Sequence, residues 1–99
     1  MLKIWVDDVR PVPKDYILCR TTADTLELLR NLEPNTEVFL DLDHDAGDFA
    51  KYGGDYIEIL NQLERLHMPI KPIIHVHSMN PVGKRNMIRI ARHNGWEVL

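Results

Sequence analysis

The chain has one cysteine, Cys19, so no internal disulfide can staple it and the fold has to rest on a hydrophobic core. That usage suits a reducing, cytoplasmic setting. The neighbours Ile17, Leu18 and Arg20 place Cys19 in a strand, as a small packed hydrophobe rather than a nucleophile. No apolar run is long enough to span a bilayer and there is no basic-then-apolar start, which argues against a membrane span and a signal peptide. Basic charge is scarce as well: 12 Lys and Arg stand against 15 Asp and Glu, a net charge of -3. Broad binding to a nucleic-acid backbone needs a basic face, so an anionic ligand must be held by a local positive site. Repeats, low-complexity tracts and dividing linkers are also missing. What remains is 99 residues, 44% hydrophobic and 27% charged, the size and composition of one globular domain over 1–99.

Apolar runs alternate with helical patterns along that domain. LKIWV (2–6) reads as a strand that stops at Asp7-Asp8, and the prolines of VRPVPK mark a loop. YILCR (16–20) is a second strand. Thr21 or Thr22 then caps a helix over ADTLELLRNL, with Leu26, Leu29 and Leu32 on one face, ended by Glu33-Pro34-Asn35. EVFLDLD (37–43) is a third strand. Gly53-Gly54-Asp55 opens a helix in which Tyr56, Ile59, Leu60, Leu63 and Leu66 share a stripe. PIIHVHS (72–78) is a fourth strand. Asn80 caps a helix with Pro81 in its first position, running to about Asn94 before Gly95, and WEVL is a last short strand. The alternation predicts a parallel sheet covered on both sides. The connection between the first two strands is short for a parallel pair, and a tight crossover is the expected solution.

The unusual polar residues fall at strand ends, where ligands bind in open α/β sheets. Asp7 and Asp8 end the first strand, Asp43, His44 and Asp45 the third, and His75, His77 and Ser78 the fourth. Taken singly, each has a bland reading, such as a solvated turn for Asp7-Asp8 or a satisfied core residue for one histidine. A shared crevice explains them together. His75 and His77 lie on one face of their strand because side chains alternate. Asp7, Asp8 and Asp43 are hard oxygen donors of the kind that suits Mg²⁺, whereas His75 and His77 would suit a transition metal better. The helix that starts at Asn80 offers an anion its free N–H groups, with Gly83 allowing close approach and Lys84 or Arg85 adding charge. Ser78 and Arg10 complete the candidate substrate contacts.

These residues resemble a known pattern. An Asp pair after the first strand, an Asp ending the third and a hydroxyl residue ending the fourth are similar to the response-regulator receiver fold. The stretches WVDDVRPVP, LDHDAGD, GGDY and VHSMNPVGKRNM closely resemble the receiver-like group called cyclic-phosphate processing receiver domains. The resemblance covers nearly the whole chain, and LDHD together with HSxNPxG is its most specific part. It implies a receiver-like (flavodoxin-like) sheet of five parallel strands in the order 2-1-3-4-5. Two departures from signalling receivers are expected: RPVPKD replaces the helix between strands one and two, and neither a final helix nor the lysine that follows the fifth strand is present up to Leu99.

The resemblance further implies a site for cyclic phosphates, and the residues suggest a phosphodiesterase. Opening a cyclic phosphodiester with water needs a base, an acid and positive charge for the phosphorane. His44 and His77 are the expected acid/base pair, in unassigned order, with His75 orienting a partner or ligating a metal. Asp43 and Asp45 would fix a histidine tautomer or bind a cation. The expected partner is a cyclic nucleotide or an RNA cyclic-phosphate end, in a bacterial cytoplasm or, for a viral protein, that of the host. The alternatives are a module that sequesters such a ligand without cutting it and a degenerate phosphoacceptor receiver using Asp43.

Overall fold

The computed structural model describes residues 1–99. Strands β1 (Leu2–Val6), β2 (Ile17–Cys19), β3 (Glu37–Leu42), β4 (Lys71–Val76) and β5 (Glu97–Val98) alternate with helices α1 (Thr22–Arg30), α2 (Ile57–Leu66) and α3 (Pro81–His93) once β2 has formed. The sheet is parallel throughout, in the order β2-β1-β3-β4-β5. The short connection is therefore a tight parallel crossover, with Ile4 paired to Ile17 and Val6 to Cys19. The strap that makes it, residues 7–16, is tied down by Arg20, whose Nη1 donates to the carbonyls of Asp7 (2.9 Å) and Arg10 (3.1 Å).

Local chemistry sets the helix ends. Thr21 caps α1 by accepting the Asp24 N–H at 2.9 Å, and Asn80 caps α3 by accepting that of Gly83 at 3.0 Å. Gly95 follows α3 with φ +74°, the left-handed residue that lets the chain turn into β5. Gly53 and Gly54 do not open α2 directly. Both have positive φ and form a turn after a 3-10 segment, Gly47–Lys51, that the apolar pattern gave no reason to expect. Tyr56, Ile59, Leu60 and Leu63 are buried as their spacing predicts, but Leu66 at the helix end is exposed.

The expectation of a sheet covered on both sides is wrong. Right-handed crossovers from β2 to β3, β3 to β4 and β4 to β5 all advance the same way across the sheet, so their helices lie on one face; α1 contacts α2 and α2 contacts α3. Only the β1–β2 connection runs the other way, and it is a strap instead of a helix. Burial alternates accordingly. Ile4, Val6, Leu40, Leu42, Ile74 and Val76 face the helices and are fully buried with Leu29, Ile59, Leu60 and Met87. On the opposite face Lys3, Glu37, Lys71 and Glu97 are exposed, and Trp5, Phe39, Ile73 and His75 are half-buried. Tyr16 of the strap covers part of this face, edge-on to Trp5 at 5.9 Å and to Phe39 at 6.3 Å.

Candidate functional site

Asp7 leaves β1 fully buried, where an uncompensated charge would be costly. It is compensated four times over. The N–H groups of Val9 (2.8 Å) and Arg10 (2.7 Å) donate to Oδ1, while Arg10 Nη1 (3.0 Å) and His77 Nε2 (2.8 Å) donate to Oδ2. Burial alone would push this carboxyl up, but those donors pull it down to about 2.

His77 sits at the centre. Its Nδ1 lies 2.7 Å from Asp41 Oδ1 and its Nε2 faces Asp7, so both nitrogens donate and the ring is an imidazolium. Burial opposes that charge, but Asp41 and Asp7 outweigh it and raise the pKa above the usual histidine value. His75 joins the same network, its Nδ1 2.9 Å from the same Asp41 oxygen. The two histidines do share a face, and Asp41 lies between them. Register explains this, because β3 pairs with β4 so that Asp41 stands opposite His75. Asp41 is held below the ordinary carboxylate range: burial raises it, and the two imidazoles lower it further.

Asp41 was missed at the sequence level. It lies two positions before Asp43 in EVFLDLD, hence on the same face of its strand as Phe39. A carboxylate inside an apolar strand was the signal.

Asp43 is also buried. Its Oδ1 accepts the His44 N–H at 2.8 Å and its Oδ2 lies 3.3 Å from Arg10 Nη1. One guanidinium thus spans Asp7 and Asp43, and Arg10 serves as a resident cation rather than a free substrate contact. Asp8 is less protected. Burial, Asp7 and Asp43 all raise its pKa. Its carboxylate lies against Gly47, where a Cβ would sit 2.5 Å from Oδ2; the φ of +56° there also favours glycine.

His44 belongs to a second cluster, so the expected His44–His77 pair is not one contact. His44 Nδ1 donates to Asp45 Oδ1 at 2.7 Å, which leaves Nε2 as the ring nitrogen without a hydrogen-bond partner. The ring packs on the backbone of Gly83, in the space a Cβ would need. Asn80 Nδ2 lies 3.4 Å from Asp45 Oδ1 and 3.5 Å from His44 Nδ1. Asp55, not singled out in the sequence, lies near this cluster and accepts the Ala46 N–H at 3.0 Å.

Two expected roles change. Gly83 is buried under His44 instead of open to a phosphate, and its N–H is already taken by Asn80. The Lys84 N–H goes to the Asn80 carbonyl at 2.9 Å, so the helix N-terminus is largely satisfied from within. Ser78 is buried and accepts the Asn80 N–H at 3.0 Å, shaping the turn. Lys84 and Arg85 are exposed on α3.

His44, Asp45 and Asp55 form one group of possible cation donors; the other, which holds the expected Asp7 and Asp43, is completed by His77, each residue offering an atom within 4.8 Å of the others, and Asp8 is of neither group. Hard carboxylates fit Mg²⁺ in kind. In arrangement they do not, because Arg10 lies on both carboxylates and the facing His77 nitrogen carries a proton. A transition metal chelated by His75 and His77 fits less well still, since both Nδ1 atoms are turned to Asp41.

Residues 2–93 match the family described as the cyclic-phosphate processing receiver domain. The chain belongs to that family. No curated protein and no solved structure matches the chain. The receiver domain thus carries its polar network at the carboxyl ends of β1, β3 and β4, where strand order reverses between β1 and β3. No helix of the receiver domain is long and apolar enough to cross a membrane.

Proposed function

We propose that this receiver domain is a phosphodiesterase that opens a cyclic phosphate of a nucleotide or of an RNA end. The observation that carries the reading is the Asp45–His44 dyad beside the Arg10-bridged carboxylates, in a chain of the cyclic-phosphate processing family. His44 Nε2 takes a proton from water as the water oxygen bonds to phosphorus. One ring P–O bond breaks, and the leaving alkoxide takes the proton of His77 Nε2–H, now held by Asp7. Asp45 keeps Nδ1 of His44 protonated, so that Nε2 stays the base. Arg10, held between Asp7 and Asp43, supplies fixed positive charge beside the phosphoryl group, with Lys84 and Arg85 adding more. Ser78 and Asn80 hold the turn that presents them, while Asp41 and His75 orient His77. Asp7 and Asp43 are the carboxylates a Mg²⁺ ion would need, and Arg10 occupies both, so the proposed reaction runs on the side chains alone.

One observation favours a second reading. Both nitrogens of His77 are engaged and its side chain is only 10% exposed, as suits a module that holds a cyclic nucleotide without cutting it. Mass spectrometry of 2′,3′- and 3′,5′-cyclic nucleotides and cyclic oligonucleotides incubated with the protein, with Mg²⁺ or EDTA, separates the two. Gain of one water by one substrate class, lost in His44→Ala, supports the hydrolase. Intact compounds, one of them tightly bound, would replace it with sequestration.

A further inference from the structure

Helix α3 carries a charge pattern that extends beyond the proposed crevice. Its sequence, PVGKRNMIRIARH, holds Lys84, Arg85, Arg89 and Arg92 and no acidic residue. The chain as a whole carries -3, so with these four cations set aside the remainder carries -7. Gly83, Met87 and Ala91 form the buried side of the helix. On the outward side Val82, Arg85, Arg89 and Arg92 are exposed, and their i, i+3, i+7, i+10 spacing makes one stripe. Arg85, Ile88, Arg89 and Arg92 line a groove along it. The ion pairs of the chain use Arg10, Arg30, His44, His75 and His77, so no cation of α3 is neutralised from within. Helix stability does not account for the stripe, because like charges three and four positions apart repel.

We propose that this stripe is a track for the RNA strand behind a terminal cyclic phosphate, so that the substrate is an RNA end rather than a free nucleotide. The inference rests on the proposed phosphodiesterase reading and names its substrate class. Position supports it. Helix α3 starts at the carboxyl ends of the strands, where the His44 ring packs on Gly83, and leads back to the start of β5, which is parallel to β4. From Val82 to Arg92 the axis covers about 15 Å at 1.5 Å per residue. A strand whose last phosphate sits beside His44 can therefore lay its preceding phosphates over Arg85, Arg89 and Arg92. Met79 and Val82, 83% and 60% exposed, stand at the crevice end and offer apolar surface to the last bases. A polymer ends in a 2′,3′-cyclic phosphate only through a 2′-hydroxyl, which selects RNA over DNA. Elsewhere the net charge of -7 repels phosphates and confines the strand to this one path. An acidic protein is the poorer occupant, because Ile88 is the only apolar anchor in the groove.

The test uses a fluorescent RNA of about ten nucleotides that ends in a 2′,3′-cyclic phosphate, followed by anisotropy for binding and by mass spectrometry for products. The native protein is expected to bind it roughly tenfold or more tighter than the cyclic mononucleotide, with log affinity falling on log salt at a slope of about -2 for three phosphates. Arg89→Glu with Arg92→Glu should remove most of that advantage and most of the slope, whereas Arg89→Lys with Arg92→Lys keeps both. Both side chains are exposed, so folding is unaffected, which circular dichroism checks. Equal binding of strand and mononucleotide overturns the inference, as does a charge reversal without effect. So does equal binding of the same RNA ending in a 3′-hydroxyl, or of polyglutamate, which would assign the stripe to an acidic protein. A mononucleotide that is opened while the strand is not preferred keeps the phosphodiesterase and removes the track. A strand bound through Arg89 and Arg92 but left uncut keeps the track and removes the phosphodiesterase.

Discussion

The imidazole of His77 lies flat on the indole of Trp5, ring centroids 3.9 Å apart and planes 2° from parallel. The contact crosses β3, which separates the two strands that carry these residues. It is possible because the β3 residue at that level is Asp41, short enough to pass beneath the ring and bind its Nδ1. A cationic ring over an indole face gains electrostatic attraction as well as packing area. His77 is thus held from three sides as an imidazolium: by Asp41, by Asp7 and by Trp5.

That arrangement has a pH consequence. The folded pKa of His77 is raised above its ordinary 6.5, so its contribution to stability is complete below that value and is lost as pH rises through the folded pKa. Urea midpoints should therefore fall as pH rises above 6.5, and this dependence should flatten in His77→Gln. Histidine NMR titration of the native protein checks the sign directly; a His77 that titrates below 6.5 sinks the network as described.

Asp7 sets the acid limit. Its carboxyl falls from 3.8 to about 2 on folding, so the stabilisation it provides is present above 3.8 and is lost as pH drops toward 2. Asp7→Asn leaves His77 and Arg10 facing a neutral amide in a buried position, and should cost about 3 kcal/mol or more. Denaturant unfolding at neutral pH measures it, and a loss under 1 kcal/mol would mean that Asp7 is not the anchor.

His44 is expected to carry the rate. With the cyclic phosphate identified, His44→Ala should lower kcat/KM by ~10²–10⁴-fold, and Asp45→Asn by less, since it disturbs only the tautomer. Gly83→Ala offers an independent check. The added methyl must displace the His44 ring, costing about 1–3 kcal/mol of packing, so activity should fall although alanine favours the helix. An active, stable Gly83→Ala protein would remove His44 from this position.

Arg10 competes with any divalent cation. In Arg10→Gln the carboxylates of Asp7 and Asp43 lose a cation that lies 3.0 and 3.3 Å away. Thermal stability should drop without metal, and Mg²⁺ should raise Tm more in the variant than in the native protein. Equal Mg²⁺ effects in both would show that the cation binds elsewhere or not at all.

Much of this was legible in the chain. The apolar runs and caps located every strand and α-helix to within a few residues, though not the 3-10 segment Gly47–Lys51, because burial and capping leave local marks in spacing and residue type. Asp7, Asp43, His44 and His77 were recognisable as candidates by their place at strand ends. Asp41 escaped because its partners, His75 and His77, are 34 and 36 residues away and only register brings them together. Gly83 looked like a phosphate contact because a glycine after a helix cap has two uses, and nothing nearby in sequence told that His44 would fill the space.

The sequence by itself determined the element order, the parallel sheet and the family, since hydrophobic period, turn residues and motifs act over short distances along the chain. Tertiary structure alone decided that Arg10 bridges Asp7 and Asp43, that His77 is shared between Asp7 and a third carboxylate, Asp41, and leans on Trp5, and that one sheet face stays without helices. Those outcomes depend on strand order and crossover handedness, which bring residues from β1, β3 and β4 into hydrogen-bonding distance whatever their separation in sequence.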